Sequence, residues 1–318
     1  MPREGGGLLL VGLSTLDVFI RCAEFPRTDD RVYLPDYEMV PGGSAANMAF
    51  CLSCLGVPTL LCTRVGQDAA GNMVREYLRG RGVDTKLIVE DAAHRTGFSI
   101  INLAENGQFA LVHCIGANNA ISPADLPWHE VERADMVHAG GVMSMEALDG
   151  APLAQLFRRV RAAGKRTSLH TSRNTGRKAA LWEVLSELDV LITNRKEALE
   201  VSGAESPESA ARWFHNRGVG TVAITLGPAG VFASDGGCGS MVPAFPVAAV
   251  DTTGCGDGFA AGFVDAVLRG DDLVTCARWG NAVGAHCAQS VGAMPTPFTR
   301  SELQTFLQNK MGAEKAGG

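Results

Sequence analysis

Asp251-Thr-Thr-Gly-Cys-Gly-Asp257-Gly-Phe-Ala-Ala-Gly-Phe263 places Gly254, Cys255, Gly256 and a carboxylate at the start of an apolar stretch of helical character. A Gly-rich turn that opens a helix leaves backbone N–H groups unpaired, and the helix dipole adds positive potential there. Such a place suits a phosphate or another anion. Asp257 sits inside it, and a carboxylate repels an anion that is merely bound. The pattern makes sense if the anion arises in a reaction and the carboxylate takes up a proton beside it. Phosphoryl transfer to a hydroxyl has this need: a base for the alcohol and donors for the transferring group. The plainer reading is a Gly-rich turn before a core helix.

Other residues could serve the same chemistry. Asp17 follows the apolar run Leu8–Gly12, and a carboxylate just past a strand end is well placed for a ligand; as a bland loop residue it would cap local backbone. In Pro41-Gly-Gly-Ser-Ala-Ala-Asn47, Gly42 and Gly43 permit a tight turn, and Asn47 falls about one turn inside the helix that follows. An Asn amide offers both a donor and an acceptor, which suits a hydroxyl. Asn194 and Glu197 follow the strand Val190–Thr193. They read as a helix-capping box, while their position just past a strand end suits a ligand. Thr225, Gly227 and Gly230 follow another strand and allow close backbone approach, although Gly-x-x-Gly between strands is often just a hairpin.

These residues need a scaffold. Strands are expected at 8–12, 59–65, 135–139, 166–170, 189–193 and 221–226, and helices at 44–55, 70–80, 146–163, 206–217, 256–269 and 272–289. The alternation implies an α/β fold with a mostly parallel sheet and helices on both faces. Residues 15–40 and 96–115 break it, reading as strands without helices between them. Phe98–Leu103 and Gln108–His113 flank Glu105-Asn-Gly107, a hairpin turn. They predict a small sheet packed to one side. No interdomain linker interrupts the 318 residues, so one domain is expected over 1–318, with a frayed tail from Gly312.

Composition narrows the function. A net charge of −6 argues against nucleic acid, and no apolar run approaches the roughly 20 residues of a membrane span. Leu8–Gly12 reads as a buried strand rather than a signal peptide. The nine cysteines are odd in number and lie mostly in apolar surroundings, as expected of reduced residues in a cytoplasmic protein. Cys51 and Cys54 form a CxxC pair without a second pair or paired histidines, so core packing is expected of them. No Walker A pattern is present, and the first strand is not followed by Gly-x-Gly-x-x-Gly, which argues against a P-loop ATPase and a Rossmann dehydrogenase.

Residues 251–263 closely resemble the C-terminal signature of the ribokinase-like, or PfkB, family of carbohydrate kinases, usually Asp-Thr-x-Gly-Ala-Gly-Asp. Cys255 replaces the usual Ala at a position that contributes its backbone N–H. The Gly42, Gly43, Asn47 stretch resembles the family's N-terminal signature, and motifs at 17, 42–47, 194–197, 225–230 and 251–258 stand in family order. The resemblance implies a three-layer α/β/α fold with a small β-sheet lid that often forms a homodimer contact. It implies an ATP- and Mg2+-dependent sugar kinase with Asp257 as base and the N–H groups of 254–257 around the transferring group. By the same resemblance Asp17, Gly42, Gly43 and Asn47 bind the sugar. Asn194, Glu197, Thr225, Gly227, Gly230 and Asn281 serve the nucleotide and magnesium, and Asp251 and Thr253 match places that bind a monovalent cation such as K+ in some members. Ile115-Gly-Ala-Asn118-Asn119 resembles a stretch shared by ribokinase and nucleoside-kinase relatives. A nucleoside is the alternative acceptor; Phe19, Phe98 and Phe109 in the lid would have to supply its base slot. A sugar sensor that lost catalysis is the alternative class, disfavoured by the intact Asp257. The chain departs from the family at Leu169-His-Thr-Ser-Arg-Asn-Thr-Gly-Arg177: His170 stands where many relatives carry an Asp, so that acidic group is missing or moved. Arg173 and Arg177 there, and Arg95 and His113 at the lid, are either substrate contacts or solvated side chains.

Overall fold

The structure, a computed structural model, describes residues 7–22, 26–103, 109–172, 176–237 and 239–316. The chain begins with β1 (Leu8–Gly12), β2 (Thr15–Ile20), β3 (Tyr37–Gly42), α1 (Ser44–Cys54), β4 (Thr59–Gly66), α2 (Ala69–Gly80) and β5 (Ile88–Asp91). Then come β6 (Gly97–Leu103), β7 (Phe109–Cys114), α3 (Trp128–Arg133), β8 (Met136–Val142), α4 (Ala151–Ala162) and β9 (Arg166–Thr171). It continues with α5 (Lys178–Trp182), β10 (Val190–Asn194), α6 (Arg195–Ser202), α7 (Pro207–His215) and β11 (Thr221–Thr225). The last elements are β12 (Val231–Ser234), β13 (Gly239–Val242), α8 (Cys255–Arg269), α9 (Leu273–Cys287) and α10 (Arg300–Ala316).

A sheet of nine strands runs in the order β13-β12-β11-β10-β9-β8-β1-β4-β5. It is parallel from β11 to β5; β12 and β13 close one edge antiparallel. β1 is buried throughout because both of its faces are covered, and its side chains alternate between two cores. Leu8 and Leu10 pack with Phe50 of α1 and Phe263 of α8. Leu9 and Val11 pack with Phe157 of α4 and Phe214 of α7. The three expected layers are therefore α1, α2, α8, α9 and α10 on one face, the sheet, and α3 to α7 on the other. Side-chain caps fix several helix starts: Asp68 accepts the Gly71 N–H at 2.8 Å before α2, and Asp272 accepts the Thr275 N–H at 3.0 Å before α9.

The second sheet, β3-β2-β6-β7, is the expected lid. β2 pairs with β6 in parallel and with β3 antiparallel, and β6 pairs antiparallel with β7. The predicted turn at Glu105–Gly107 lies outside the described residues, as does Arg173.

Some boundaries differ from expectation. The helix predicted over 146–163 starts at Ala151, because Gly150 turns the chain at φ 80° and Asp149 already accepts the Met145 N–H at 2.8 Å. Gly312 to Ala316, expected as a frayed tail, continue α10. Among the described residues 26–36 no strand forms, so the first lid segment is strand only at its ends. Cys51 and Cys54 lie on α1 against the core, as expected of packing residues.

Candidate active site

The strand order reverses at β1, which has β4 on one side and β8 on the other. The carboxyl ends of strands at such a reversal form the crevice where ligands bind in open α/β sheets. Asp17, Gly42, Gly43, Asn47 and Asp257 meet there. A cavity of about 380 Å³ lies at the opposite end of β1 and β4, lined by Leu8, Pro58, Leu60, Val83, Glu130 and Ala134, away from these residues.

Two helix N-termini face this crevice and they differ. Gly43 takes φ 91° to turn the chain into α1, and the Ala45 and Ala46 N–H groups both donate to the Leu13 carbonyl, at 3.1 and 3.2 Å. The first turn of α1 is therefore engaged by protein. At α8, Gly254 takes φ 76°, and a Cβ there would sit 2.2 Å from the Ala293 carbonyl oxygen. The N–H groups of Gly256 and Asp257 have no backbone acceptor among the described residues. A Cβ on Gly256 would meet no atom within 4 Å, so this turn opens onto free space. Burial pushes the Cys255 thiol up to about 12, which keeps it uncharged beside the free N–H groups. The arrangement is an anion site with its donors exposed.

Asp257 stands in that first turn. One carboxylate oxygen accepts from Asn47 Nδ2 at 2.7 Å, and the other lies 3.0 Å from His170 Nε2. Asn47 is buried, and its Oδ1 has no hydrogen-bond partner. A buried, unpaired amide oxygen is costly unless a ligand donor reaches it. Asp17 lies within β2 rather than in a loop, where it accepts from Thr15 Oγ1 at 2.8 Å. Gly42 leaves room for this carboxylate, since a Cβ would fall 1.9 Å from Asp17 Oδ2. Burial pushes the Asp17 carboxyl above its ordinary value, bonds from Ser99 and Thr15 oppose this, and the charge of Asp257 adds to it. Two carboxylates, an amide oxygen and free N–H groups thus converge on one crevice.

The expected nucleotide residues line the neighbouring strand ends. Asn194 Oδ1 accepts the Glu197 N–H at 2.9 Å, so Asn194 caps α6, but the Glu197 carboxylate bonds Thr171 instead of closing a capping box. Glu197 is buried and accepts from Thr171 Oγ1, whose oxygen lies 2.8 Å from Thr193 Oγ1 and can accept from that hydroxyl in turn. Thr225 pairs with Asn194 in register, and Gly227 and Gly230 bracket the turn from β11 into antiparallel β12, so this stretch is the hairpin as well. Asn281 Nδ2 donates to the Val242 and Pro243 carbonyls, at 3.2 and 2.9 Å. Asp251 accepts from Thr253 N–H and Oγ1 on one oxygen and from Gly292 N–H on the other, tying two loops together. Among the described residues no cluster of three or more His, Cys, Asp or Glu could hold a metal by itself. A magnesium ion commonly keeps several waters and binds substrate phosphates, so it needs no such cluster.

His170 and the lid differ most from expectation. His170, expected only as a departure, contacts Asp257 directly. Its signal in the sequence was a polar residue on the buried face of a central strand. Phe19 shares the Asp17 face of β2, whereas Phe98 shares the parity of Leu16 and Ile100 and packs on the core, so it does not face the crevice. The Phe109 side chain lies outside the described residues. His113 Nδ1 meets Ser99 Oγ at 2.9 Å, the Arg95 carbonyl accepts the Ala117 N–H at 2.7 Å, and Arg177 is half-buried before α5.

Comparison with known proteins agrees with this geometry. The model of the pfkB family carbohydrate kinases matches residues 7–299. Ribokinase of Haemophilus influenzae is 29% identical over 309 residues, 95% of this chain and 98% of the relative. The ATP-dependent ribose-1-phosphate kinase of Halopiger xanaduensis is 30% identical, covering 95% of this chain and 98% of that one. The structure of Arabidopsis thaliana ribokinase complexed with ribose and ATP superposes with a TM-score of 0.84 at 26% identity, over 96% of this chain and 99% of the other. With its fold, its exposed anion turn and its crevice carboxylates, the chain belongs to the pfkB family of carbohydrate kinases.

Proposed function

We propose that this protein transfers the γ-phosphoryl group of ATP to the hydroxymethyl group of a small sugar, with a pentose such as ribose as first acceptor. The observation that carries the reading is Asp257 in the first turn of α8, beside N–H groups that have no backbone acceptor and open space at Gly256. The names of the relatives, which concern ribose or its phosphate, support the choice of pentose.

ATP and Mg2+ would supply the phosphoryl group and the cationic charge that offsets the phosphates. Glu197 and Asn194 would hold the ion's water shell, and the backbone at Thr225, Gly227 and Gly230 would follow the nucleotide. Asp17 accepts hydrogen bonds from sugar hydroxyls on its carboxylate, and Asn47 Oδ1 accepts one from a further hydroxyl as its missing partner. Gly42 and Gly43 let the sugar approach the backbone. Asp257 takes the proton of the attacking hydroxyl, while the N–H groups of Gly256 and Asp257 hold the charge that develops beside it; the Cys255 N–H expected to join them donates instead to the Thr252 carbonyl, at 3.3 Å. The lid strands carry Asp17 itself, so closing over the sugar excludes water and completes the site in one movement.

The lid's outer face supports a homodimer, as argued below. Asp251 and Thr253 would hold a monovalent cation only with help from backbone carbonyls, since both Asp251 oxygens already accept hydrogen bonds. The cysteines of the described residues are free, which supports a cytoplasmic protein. Among the described residues no helix is long and apolar enough to cross a membrane.

Magnesium-ATP turnover across pentoses, ketohexoses, ribose 1-phosphate, sugar acids and nucleosides tests the reading, beside Asp257→Asn. Turnover with a pentose, falling at least about a thousandfold in the variant while ATP binding persists, is the expected outcome. Near-wild-type turnover by Asp257→Asn would remove the role given to the carboxylate. A nucleoside as best acceptor would replace the sugar.

A further inference from the structure

Central strands of a parallel sheet carry apolar side chains on both faces because both are covered. β8 and β9 break this on the face beneath α1 and α8. His138 and Ser168 are in register there and wholly buried, and His170 is the next residue on that face of β9. Polar groups in such a place are costly unless every one is paired.

They are paired in series. His170 Nε2 lies 3.0 Å from Asp257 Oδ1, His170 Nδ1 lies 2.7 Å from His138 Nε2, and His138 Nδ1 lies 2.7 Å from Ser168 Oγ. Ser168 Oγ in turn reaches Met136 Sδ at 3.0 Å. The imidazole centroids are 5.0 Å apart and the planes differ by 26°, the separation of two rings that meet edge to edge along the N···N line. Gly140, opposite His170, leaves room for the ring: a Cβ there would stand 3.0 Å from both His170 Cε1 and the Ala45 backbone.

An inventory of protons constrains the series. A carboxylate only accepts, so His170 Nε2 carries a proton and donates to Asp257. Burial holds His138 well below its ordinary value, with the charge of His170 adding to the effect, so His138 carries a single ring proton. Two arrangements remain. In one, Ser168 donates to His138 and His138 to His170. In the other, His170 donates to His138, His138 to Ser168, and Ser168 to Met136 Sδ. Both satisfy the whole series, and both keep the proton on His170 Nε2.

We propose that His170 is a positioning residue for Asp257, with His138 and Ser168 fixing its ring, so that the carboxylate is clamped between two N–H donors, Asn47 on one oxygen and His170 on the other. The proposal rests on the sugar-kinase reading. His170 keeps its Nε2 proton throughout; the hydroxyl proton goes to the carboxylate, and the histidine fixes that carboxylate's orientation before the sugar arrives. The sharing of roles inverts that of hydrolase triads, in which a carboxylate orients a histidine.

Other titratable groups packed around Asp257 are Asp17 on β2, Cys51 on α1, Cys255 on α8 and Cys287 on α9. Hydrogen bonding to Cys287 and burial push the Cys51 thiol up, and burial pushes that of Cys255 up to about 12, so neither titrates on the acid side.

The test has a direct and a kinetic arm. Nitrogen-15 NMR of the full chain with labelled histidine reads the ring protons, and the signal lost in His170→Gln assigns the residue. A protonated Nε2 is expected; a bare Nε2 overturns the proposal. In the kinetic arm His170→Ala should lower kcat about 10–100-fold with sugar KM within about threefold. His170→Gln, which keeps an N–H donor, should recover most of kcat. An unchanged kcat in His170→Ala, or a Gln variant no better than Ala, overturns the proposal and leaves His170 as packing. If His170→Ala does not fold, the Nε2 signal of the wild type decides. If the wild type phosphorylates no acceptor, the kinase reading falls while the Nε2 signal still tests the pair.

Discussion

Asp17 shows how one residue can favour function over stability. Its carboxylate is buried, accepts from Thr15 and Ser99, and faces the charge of Asp257. Its folded pKa lies above the ordinary 3.8, so the folded state binds its proton more tightly than the unfolded chain does. Stability from this group is therefore greatest at low pH and declines as pH rises from the unfolded value through the raised folded value. Asp17→Asn should remove that slope and raise the melting temperature at pH 8. The same variant should raise sugar KM about 10–100-fold, because an ionised acceptor bonds hydroxyls more strongly than an amide does. Thermal melts at pH 4 and pH 8 and initial-rate kinetics read both effects. A melting temperature that falls at pH 8, or an unchanged KM, would show Asp17 to be a structural residue.

Among the elements, α1 and α8 share a crevice but divide the work. The α1 N-terminus is tied to Leu13, which locks Gly42, Gly43 and Asn47 against the end of β1. The α8 N-terminus is left open, and Gly256 is the residue that keeps it so. Gly256 does not need a left-handed backbone, and a Cβ there touches nothing. Gly256→Ala should therefore raise helix stability by about 0.5–1 kcal/mol. The methyl group would stand where the phosphoryl group must approach the N–H donors, so kcat should fall at least about tenfold. Denaturant unfolding and turnover measured together check the pair of effects. A stabilised variant with full activity would move the phosphoryl site away from this turn.

For the molecule as a whole, the lid raises the question of assembly. Pairing places Met39, Val18, Ile100 and Val112 in one row across its four strands, on the face opposite Asp17 and Ser99. Val112 is 54% exposed and Tyr37, on the same face, 62%. An exposed apolar sheet face is a liability unless another surface covers it. A second copy joined through this face would cover it and stiffen the strand that carries Asp17. Light scattering should find a dimer, and Val112→Glu should yield a monomer with weaker sugar binding. A wild-type monomer at micromolar concentration would remove the lid dimer.

The sequence alone determined the layered fold, because alternating apolar strands and amphipathic helices have few ways to bury both faces of a sheet. It also determined where Asp257 and Gly256 stand, since a Gly-rich turn that opens a helix is a local feature. Helices α6 and α10 were not singled out: α6 is short, and α10 shows no strong apolar stripe. Three things were decided only in three dimensions. Asn47 donates to Asp257 across 210 residues, Phe98 faces the core rather than the crevice, and His138 and Ser168 align behind His170. Each depends on strand register and on which helix covers which face. Those are set by packing between distant segments, and no local spacing of residue types encodes them.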